Sequence, residues 1–220
     1  GRIRCSYILP GTETARLACH KSITGSGMNL QTVAKKHRRC MEADPDHEMG
    51  QQDLSGADSW TVAAWASHYG DRTYLEDLLA RLKPAKVMCL MMEGVDLSAL
   101  DRGQIKALCD RIDTDGWLYF ANKRVGHASD YGMGLDTMIK QLLGDSWKLN
   151  GEPVFITRAD AKRIQEVRYR RYPGIIKWKD SVKNDIMTGP GNLLHSSGFN
   201  RIFFGRRIRR TNHGYEVDHS

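Results

Sequence analysis

The sequence has few of the features that build disulfide scaffolds, zinc sites or membrane spans. Its five cysteines are odd in number and form no CxxC pair, so neither a disulfide framework nor a zinc site is indicated. No apolar run has the length of a membrane helix, and no segment has the pattern of a signal peptide. We therefore expect reduced thiols, no membrane partner and a cytoplasmic location.

Positive charge is what the chain has in excess. Lysine and arginine number 33 against 26 acidic residues, which gives a net charge of +7 and an isoelectric point of about 9.2. Basic runs lie at residues 35–39, 168–171 and 206–210. The last two lie near aromatic residues, a combination typical of nucleic-acid-binding surfaces, although each run taken alone is more often a solvated face. The composition therefore favours a polyanionic partner.

The hydrophobic pattern divides the chain into a strand-rich start and a helical middle. A length of 220 residues with 40% hydrophobic content allows one large domain or two lobes. Residues 1–56 have the pattern of short strands and loops, whereas 57–183 have mostly helical periodicity. Gly-Pro-Gly at 189–191 ends the helices before a closing hairpin. This predicts an α+β fold dominated by helices, with helix candidates at 59–68, 74–82, 84–92 and 100–112.

Residues 123–132 have the sequence KRVGHASDYG, in which a cation, an imidazole and a phenol follow one another at intervals of four residues. A helix places Lys123, His127 and Tyr131 along one face. Such a face can hold a triphosphate with the ammonium, contact a sugar or phosphate with the imidazole and present a ring to a base. An ordinary half-exposed helix surface is the alternative interpretation of the same pattern.

Asp53 begins the sequence DLSGAD, which leads into a helix-like segment. We expect Asp53 where a short strand gives way to a turn. A carboxylate at a strand end often closes a turn or caps a helix, and Ser55 or Asp58 is an equally good N-cap candidate. This segment alone leaves the role of Asp53 open.

Six segments resemble, in the same order, the sequence blocks of the polymerase core of family A DNA polymerases. Residues 53–58 are similar to motif A, commonly Asp-Tyr-Ser-Gln-Ile-Glu, and 123–132 to the motif B helix, commonly Lys-x-x-x-Phe-Gly-x-x-Tyr-Gly. The other matches are GTETARL at 11–17, NLQ at 29–31, YRRYPG at 169–174 and GFNRIFFGRR at 198–207. The resemblance runs along nearly the whole chain.

The resemblance implies a mostly helical fingers subdomain with part of an antiparallel-sheet palm. It predicts a partial palm with motif A at 1–58, helical fingers with motif B at 59–195 and a hairpin that returns to the palm at 196–220. The stretch between the two motifs is longer than in typical members, so we expect an inserted turn or helix there.

The resemblance also implies a two-metal site. In this family two Mg²⁺ ions about 4 Å apart activate the primer 3′ hydroxyl and hold the triphosphate for nucleotidyl transfer. Asp53 matches the catalytic carboxylate that bridges both ions, and Leu54 would add its backbone carbonyl. Asp58 takes the position of an acidic residue, usually Glu, that screens the sugar 2′ position.

The motif B helix carries the implied nucleotide-binding residues. Lys123 matches the catalytic lysine that binds the incoming triphosphate, and Tyr131 matches the tyrosine that borders the templating base. His127 stands where the family usually has Phe or Tyr against the sugar, and a protonated imidazole there can assist near phosphate. Gly126 replaces an Asn. Tyr119 takes the position of an arginine that helps to hold the phosphates, so one cation has been lost.

Five further residues carry implied DNA contacts. Arg16 matches an arginine that reaches the nascent base pair from the minor groove, where the acceptors are common to every correct pair. Asn29 and Gln31 are similar to primer and template contacts. Arg206 and Arg207 match the Gly-Arg-Arg hairpin.

One element of the family pattern is missing from the sequence. The second metal-binding carboxylate comes from a His-Asp-Glu turn beyond the Gly-Arg-Arg hairpin. Asp218 and His219 stand in the reverse order with no Glu after them, so we interpret them as non-catalytic. We therefore expect the chain to be part of a longer parent polymerase and to extend no primer by itself.

The resemblance predicts a DNA-directed DNA polymerase that acts in replication or repair. Its partners would be primer–template DNA and deoxynucleoside triphosphates, and it would be a monomeric catalytic core in the cytoplasm of a bacterial cell or a phage-infected host. A non-catalytic nucleic-acid-binding module is the main alternative, favoured by Tyr119 and the missing carboxylate. An RNA-polymerising relative is a third, because Asp58 replaces the sugar-screening Glu.

Overall fold

The computed structural model describes residues 6–8, 18–20, 29–30, 33–50, 54–144, 148–149, 152–153, 155–188, 192–194, 200–202, 206–211 and 214–219. The chain divides into two compact units. One comprises residues 1–53 and 194–201, and the other comprises 54–193 and 202–220. Most of the described helices belong to the second unit.

Helices dominate the described residues. In the first unit a short helix, α1, spans Lys35–Arg38. The described helices of the second unit are α2 (Ala57–His68), α3 (Thr73–Leu79), α4 (Pro84–Met92), α5 (Arg102–Asp110), α6 (Trp117–Asp130), α7 (Leu135–Gly144), α8 (Arg158–Arg171) and α9 (Gly174–Thr188).

The described strands form small two-stranded sheets. Their bounds are β1 (Ser6–Ile8), β2 (Ala18–His20), β3 (Lys148–Leu149), β4 (Glu152–Pro153), β5 (Asn192–Leu194), β6 (Asn200–Ile202), β7 (Arg206–Thr211) and β8 (Gly214–His219). In the closing hairpin β7 pairs antiparallel with β8, so that Arg206 lies opposite His219 and Arg207 opposite Asp218. The predicted α+β class is confirmed at this coarse level.

Short-range signals set several helix ends. Asp101 and Gln104 form a reciprocal capping box at the start of α5, and Thr157 and Asp160 form another at the start of α8. Pro84 begins α4, where its missing N–H has no helical partner to lose. The helices predicted between residues 59 and 112 are all confirmed.

Neither of the two N-cap candidates, Ser55 or Asp58, caps the start of α2. Gly56 is the N-cap residue, with a φ of 69° in the left-handed region, and no side chain caps the helix. Asp58 lies in the first turn of α2 instead. Its carboxylate is therefore placed where the partial positive charge of a helix N-terminus favours an anion.

Two clusters of buried apolar side chains form the core of the second unit. The larger joins α2, α3, α4, α5, α8 and α9, and includes the fully buried Tyr74, Met88 and Tyr172. The smaller joins α6, α7 and α8, and includes Met138 and Ile164. Full burial of a large apolar side chain contributes roughly 1.5–3 kcal/mol, so α8 is held firmly through both clusters.

The YRRYPG segment at the α8–α9 junction packs inside the unit. Arg168 is buried, and Arg171 binds the buried carboxylate of Asp77 through bonds of 3.0 to 3.2 Å. Tyr172 is fully buried and donates to the same carboxylate at 3.0 Å. The interpretation of the basic run at 168–171 as a nucleic-acid-binding surface is therefore wrong for Arg168 and Arg171, because both guanidinium groups form ion pairs with buried carboxylates. Arg170 is the exposed cation of the segment.

Gly174 allows α9 to begin in close contact with the end of α2. Its N–H donates to the Asp71 carboxylate at 2.9 Å. A Cβ at this position would lie 2.5 Å from the Asp71 Cβ and 2.8 Å from the Ala66 carbonyl oxygen. Close approach of neighbouring atoms is therefore what requires glycine here.

Candidate functional site

The predicted face of Lys123, His127 and Tyr131 lies on α6 and is exposed to solvent. The side chain of Tyr131, the C-cap residue, is 57% exposed. The His127 ring meets the Tyr131 ring edge-on, with centroids 5.0 Å apart and an interplanar angle of 73°. The predicted helix and its shared face are confirmed. The binding of a nucleotide to that face stays a prediction.

The chain leaves α6 through a glycine turn immediately after Tyr131. Gly132 has a φ of 73°, a left-handed conformation that glycine adopts without a Cβ clash. Its N–H donates to the Ser129 carbonyl at 3.0 Å, and the N–H of Met133 donates to the Ala128 carbonyl at 3.1 Å. These bonds satisfy the last helical carbonyls and fix the direction in which the chain leaves Tyr131.

A buried ion pair holds Asp130, the residue before Tyr131. Arg168 of α8 donates from Nε and Nη2 to the two Asp130 carboxylate oxygens at 2.7 and 2.6 Å. The two side chains are only 3% and 6% exposed, and the Tyr74 hydroxyl accepts a further bond from Arg168 at 2.7 Å. Burial is the largest influence and lowers the pKa of Arg168, but Asp130, Tyr74 and Tyr172 together outweigh it and raise the pKa. Arg168 therefore stays charged.

Gly126, on the buried side of α6, gives Arg168 room to reach Asp130. A Cβ at position 126 would lie 3.3 Å from Nη1 of Arg168. The guanidinium carbon lies 5.1 and 5.6 Å from the ring centroids of Tyr74 and Tyr172, which stack on each other. The departure from the family pattern at Gly126 therefore accompanies an ion pair packed directly behind the exposed face.

Asp58 and Tyr131 line the same small cavity, although they are far apart in the sequence. The cavity has a volume of about 130 Å³ and is also lined by Thr61, Val62, Asp130 and Trp178. It lies where α2, the end of α6 and α9 meet. The fold therefore brings together the two segments that resemble motif A and motif B.

Trp178 forms the α9 side of this cavity. Its ring stacks on that of Trp65 in α2, with centroids 6.2 Å apart and an interplanar angle of 7°. A further bond from the Tyr69 hydroxyl to the Ser181 hydroxyl, at 2.8 Å, joins the same two helices. The wall opposite Tyr131 is therefore fixed by packing between α2 and α9.

Tyr119 is half-buried, unlike Lys123, His127 and Tyr131. It lines a separate cavity of about 550 Å³ between α4, α5 and α6, together with Cys89, Leu108 and Trp117. Burial, and after it the nearby Cys89, raises the pKa of Tyr119. The phenol is therefore neutral at pH 7 and supplies no charge for phosphate binding.

The structure describes only some of the other sequence-predicted residues. Arg16, Gln31 and Asp53 fall outside the described residues. Asn29 is half-buried and belongs to the first unit. Leu54, predicted to offer its carbonyl to a metal, is exposed just before the turn that leads into α2.

Arg206 and Arg207 begin β7 of the closing hairpin. The predicted hairpin at the Gly-Arg-Arg segment is thus confirmed, and its contact with DNA stays a prediction.

Within the described ranges, His, Cys, Asp and Glu side chains form no group of three or more that suits a metal ion. The Mg²⁺ site implied by the sequence centres on Asp53, which lies outside those ranges. In the same part of the chain, every helix is too short or too polar to span a membrane.

Comparison of the chain with protein-family models, with curated proteins and with solved structures finds no match. The functional assignment therefore depends on the motifs and on the geometry of the described residues.

Sequence reasoning missed the residues that support Tyr131 from behind. In the sequence, Asp130 is one charged residue of the segment that resembles motif B, and Arg168 is one cation of a basic run. Trp178 and Lys179 stood in a helix with no functional signal. The acidic Asp130 within the segment that resembles motif B, together with the glycine at position 126, is a sequence signal of the cation that packs there.

Proposed function

We propose that the chain forms the fingers and the adjoining part of the palm of a DNA-directed DNA polymerase similar to family A. Its substrates would be primer–template DNA and deoxynucleoside triphosphates. The observation that carries the proposal is the meeting of Asp58 and Tyr131 at one cavity beside the exposed face of α6. A polymerase of this kind needs its motif A acid near the nucleotide-binding end of its motif B helix.

The exposed residues of α6 have the chemistry that a nucleotide requires. Lys123 offers three N–H donors on a flexible stem, which suits a triphosphate. His127 can donate to phosphate or sugar oxygens, and its ring packs against Tyr131. Tyr131 presents an exposed aromatic ring for stacking near a base. Asp58 would limit the space available to the sugar less than the longer Glu does.

Mg²⁺, when bound, would neutralise the triphosphate and activate the primer hydroxyl. The carboxylate of Asp53 is a hard oxygen donor of the type that Mg²⁺ prefers. A second carboxylate would come from the parent chain. The residues of this chain would bind and orient the nucleotide.

Separate binding assays with the purified chain test the proposal. A fluorescent deoxynucleoside triphosphate reports nucleotide affinity, and a labelled primer–template duplex reports DNA affinity. We expect Lys123→Ala to weaken nucleotide binding about tenfold, because a charge-assisted contact contributes roughly 1.5–3 kcal/mol. DNA affinity should change by less than about twofold and should fall steeply with added salt.

Lys106→Ala is the matched control. Lys106 is an exposed lysine of α5 that pairs with Asp110, so its replacement removes the same charge away from α6. It should leave nucleotide binding unchanged. Equal losses of nucleotide and DNA binding in Lys123→Ala would instead identify Lys123 as a contact to the DNA backbone.

A non-catalytic nucleic-acid-binding module is the second candidate, because Tyr119 supplies no charge where the family has an arginine. This candidate predicts that the chain binds duplex DNA but binds no nucleotide at millimolar concentration. The same pair of assays distinguishes the two functions.

A further inference from the structure

Lys179 of α9 reaches the last turn of α6 from below the exposed face. Its ammonium donates to the Ser129 carbonyl and, at 2.8 Å, to the Tyr169 hydroxyl. The Tyr169 hydroxyl donates to the same Ser129 carbonyl at 3.2 Å, and the ammonium lies 4.8 Å from the centroid of the Tyr169 ring. Two side chains, from α8 and α9, therefore meet at one carbonyl oxygen of α6.

This carbonyl belongs to the turn that carries Tyr131. The Ser129 carbonyl also accepts the N–H of Gly132, and the Ser129 hydroxyl accepts a bond from Gln165 of α8 at 3.3 Å. Cε of Lys179 lies 3.9 Å from where a Cβ of Gly132 would be. The last carbonyls of a helix carry partial negative charge, so a cation there stabilises the helix end.

The charged groups around Lys179 come from three helices. Asp130 of α6 and Asp180 of α9 favour its protonated form, and Arg168 of α8 disfavours it. Burial is the largest influence and lowers the pKa of Lys179 to about 8. On the side of α2, which also packs on α9, Asp58 lies at the cavity beside Trp178, and the Asp71 carboxylate accepts the N–H of Gly174 at the start of α9.

We propose that Lys179 is a positioning residue for the nucleotide site: its ammonium fixes the turn at residues 129–132 and thereby holds Tyr131 beside Asp58. This inference depends on the proposed function for its effect on nucleotide binding. Lys179 itself lies behind the exposed face, so it acts through Ser129 and Tyr131 and makes no contact with the nucleotide.

Two replacements of Lys179 test this role. Lys179→Met keeps the length of the side chain and removes the charge, whereas Lys179→Arg keeps a charge that does not titrate. Lys183→Met, one turn further along α9 at an exposed position, is the control. Nucleotide affinity is measured from pH 6.5 to 9.5 with a fluorescent deoxynucleoside triphosphate. In parallel, NMR of chains with ring-¹³C tyrosine follows Tyr131, whose signal is assigned with Tyr131→Phe.

We expect Lys179→Met to weaken nucleotide affinity about tenfold at pH 7 and to shift the Tyr131 signal, since the variant removes the cation that stabilises this helix end. Lys179→Arg should keep most of the wild-type nucleotide affinity and a Tyr131 signal close to its wild-type position. Wild-type affinity should fall as pH rises through about 8, the pKa of Lys179, while the Lys179→Arg profile stays flat across that interval. Lys183→Met should behave as wild type.

The NMR signal separates failure of this inference from failure of the proposed function. If the wild-type chain binds no nucleotide but Tyr131 shifts in Lys179→Met and recovers in Lys179→Arg, the positioning role stands and the polymerase assignment fails. If Tyr131 keeps its signal in Lys179→Met, the positioning role is overturned whatever the nucleotide does. The same conclusion follows if Lys179→Arg is as impaired as Lys179→Met.

Discussion

Arg168 of α8 forms a two-bonded ion pair with Asp130, the last residue of α6, across 38 positions of sequence. Because Asp130 directly precedes Tyr131, the pair fixes the end of the helix that carries the candidate nucleotide face. Lys179 and Tyr169 hold the preceding residue, Ser129, by hydrogen bonds to its backbone carbonyl. The α8–α9 segment is thus a support for α6.

Breaking the pair on one side should destabilise the chain strongly. We expect Arg168→Met to lower the free energy of unfolding by about 3–5 kcal/mol, because Asp130 is left buried and uncompensated. Urea denaturation measures the loss. The double variant Arg168→Met with Asp130→Leu should lose less than the two single variants together. Lys106→Met, which removes the exposed pair with Asp110, should change stability little, and a comparably small loss in Arg168→Met would contradict the burial of the pair.

Replacement of Gly174 should disturb the contact between α2 and α9. In Gly174→Ala the new Cβ would meet Asp71 and Ala66 below normal contact distance, so we expect a loss of about 2–3 kcal/mol in the free energy of unfolding. Gly134→Ala is the matched control, since a Cβ there meets nothing within 4 Å. The midpoints of thermal unfolding of Gly174→Ala and Gly134→Ala are compared. Equal midpoints would show that α2 and α9 approach less closely at Gly174 than the structure has it.

The stability of the chain should depend on pH through Lys179. The pKa of Lys179 is lowered to about 8, so between pH 8 and the ordinary lysine value of about 10.5 the unfolded chain binds more protons than the folded chain. Stability contributed by this group should therefore rise with pH across that window and be flat below it.

Comparison with Lys179→Met isolates this contribution. Buried Tyr172 and Tyr74 have raised pKa values, so they remain protonated in the folded chain beyond pH 10 and affect both proteins equally. The difference in free energy of unfolding, wild type minus variant, should increase from pH 8 to 9.5. A difference that stays constant from pH 6 to 9.5 would mean that Lys179 has the pKa of an exposed lysine.

Asp53 should be essential for catalysis in a parent polymerase. We expect Asp53→Asn to slow primer extension about a thousandfold or more while DNA affinity stays within a few-fold, because the proposed function makes Asp53 a metal ligand and gives it no DNA contact. Single-turnover extension and DNA titration measure the two effects. Normal extension by the variant would remove Asp53 from the site, and extension by the 220-residue chain alone would disprove the need for a second carboxylate.

The helices and the exposed face of α6 could be predicted because their signals are local. Capping residues such as Asp101 and Thr157 act within one turn, and the spacing of Lys123 and Tyr131 determines a shared face in any helix. Neither N-cap candidate of α2, Ser55 or Asp58, caps the helix, because Gly56, which can adopt a left-handed conformation, is the N-cap residue.

The sequence by itself determined the mostly helical character of residues 57–183, the positive charge and the residues available on the α6 face. Only the tertiary structure decided which charges are exposed and which are paired. Arg168 and Arg171 have the composition of a surface, yet the packing of α8 against α3 and α6 places carboxylates within bonding distance of both. The meeting of Asp58 with Tyr131 was decided in the same way, because side chains distant in sequence become neighbours only when the helices that carry them pack together.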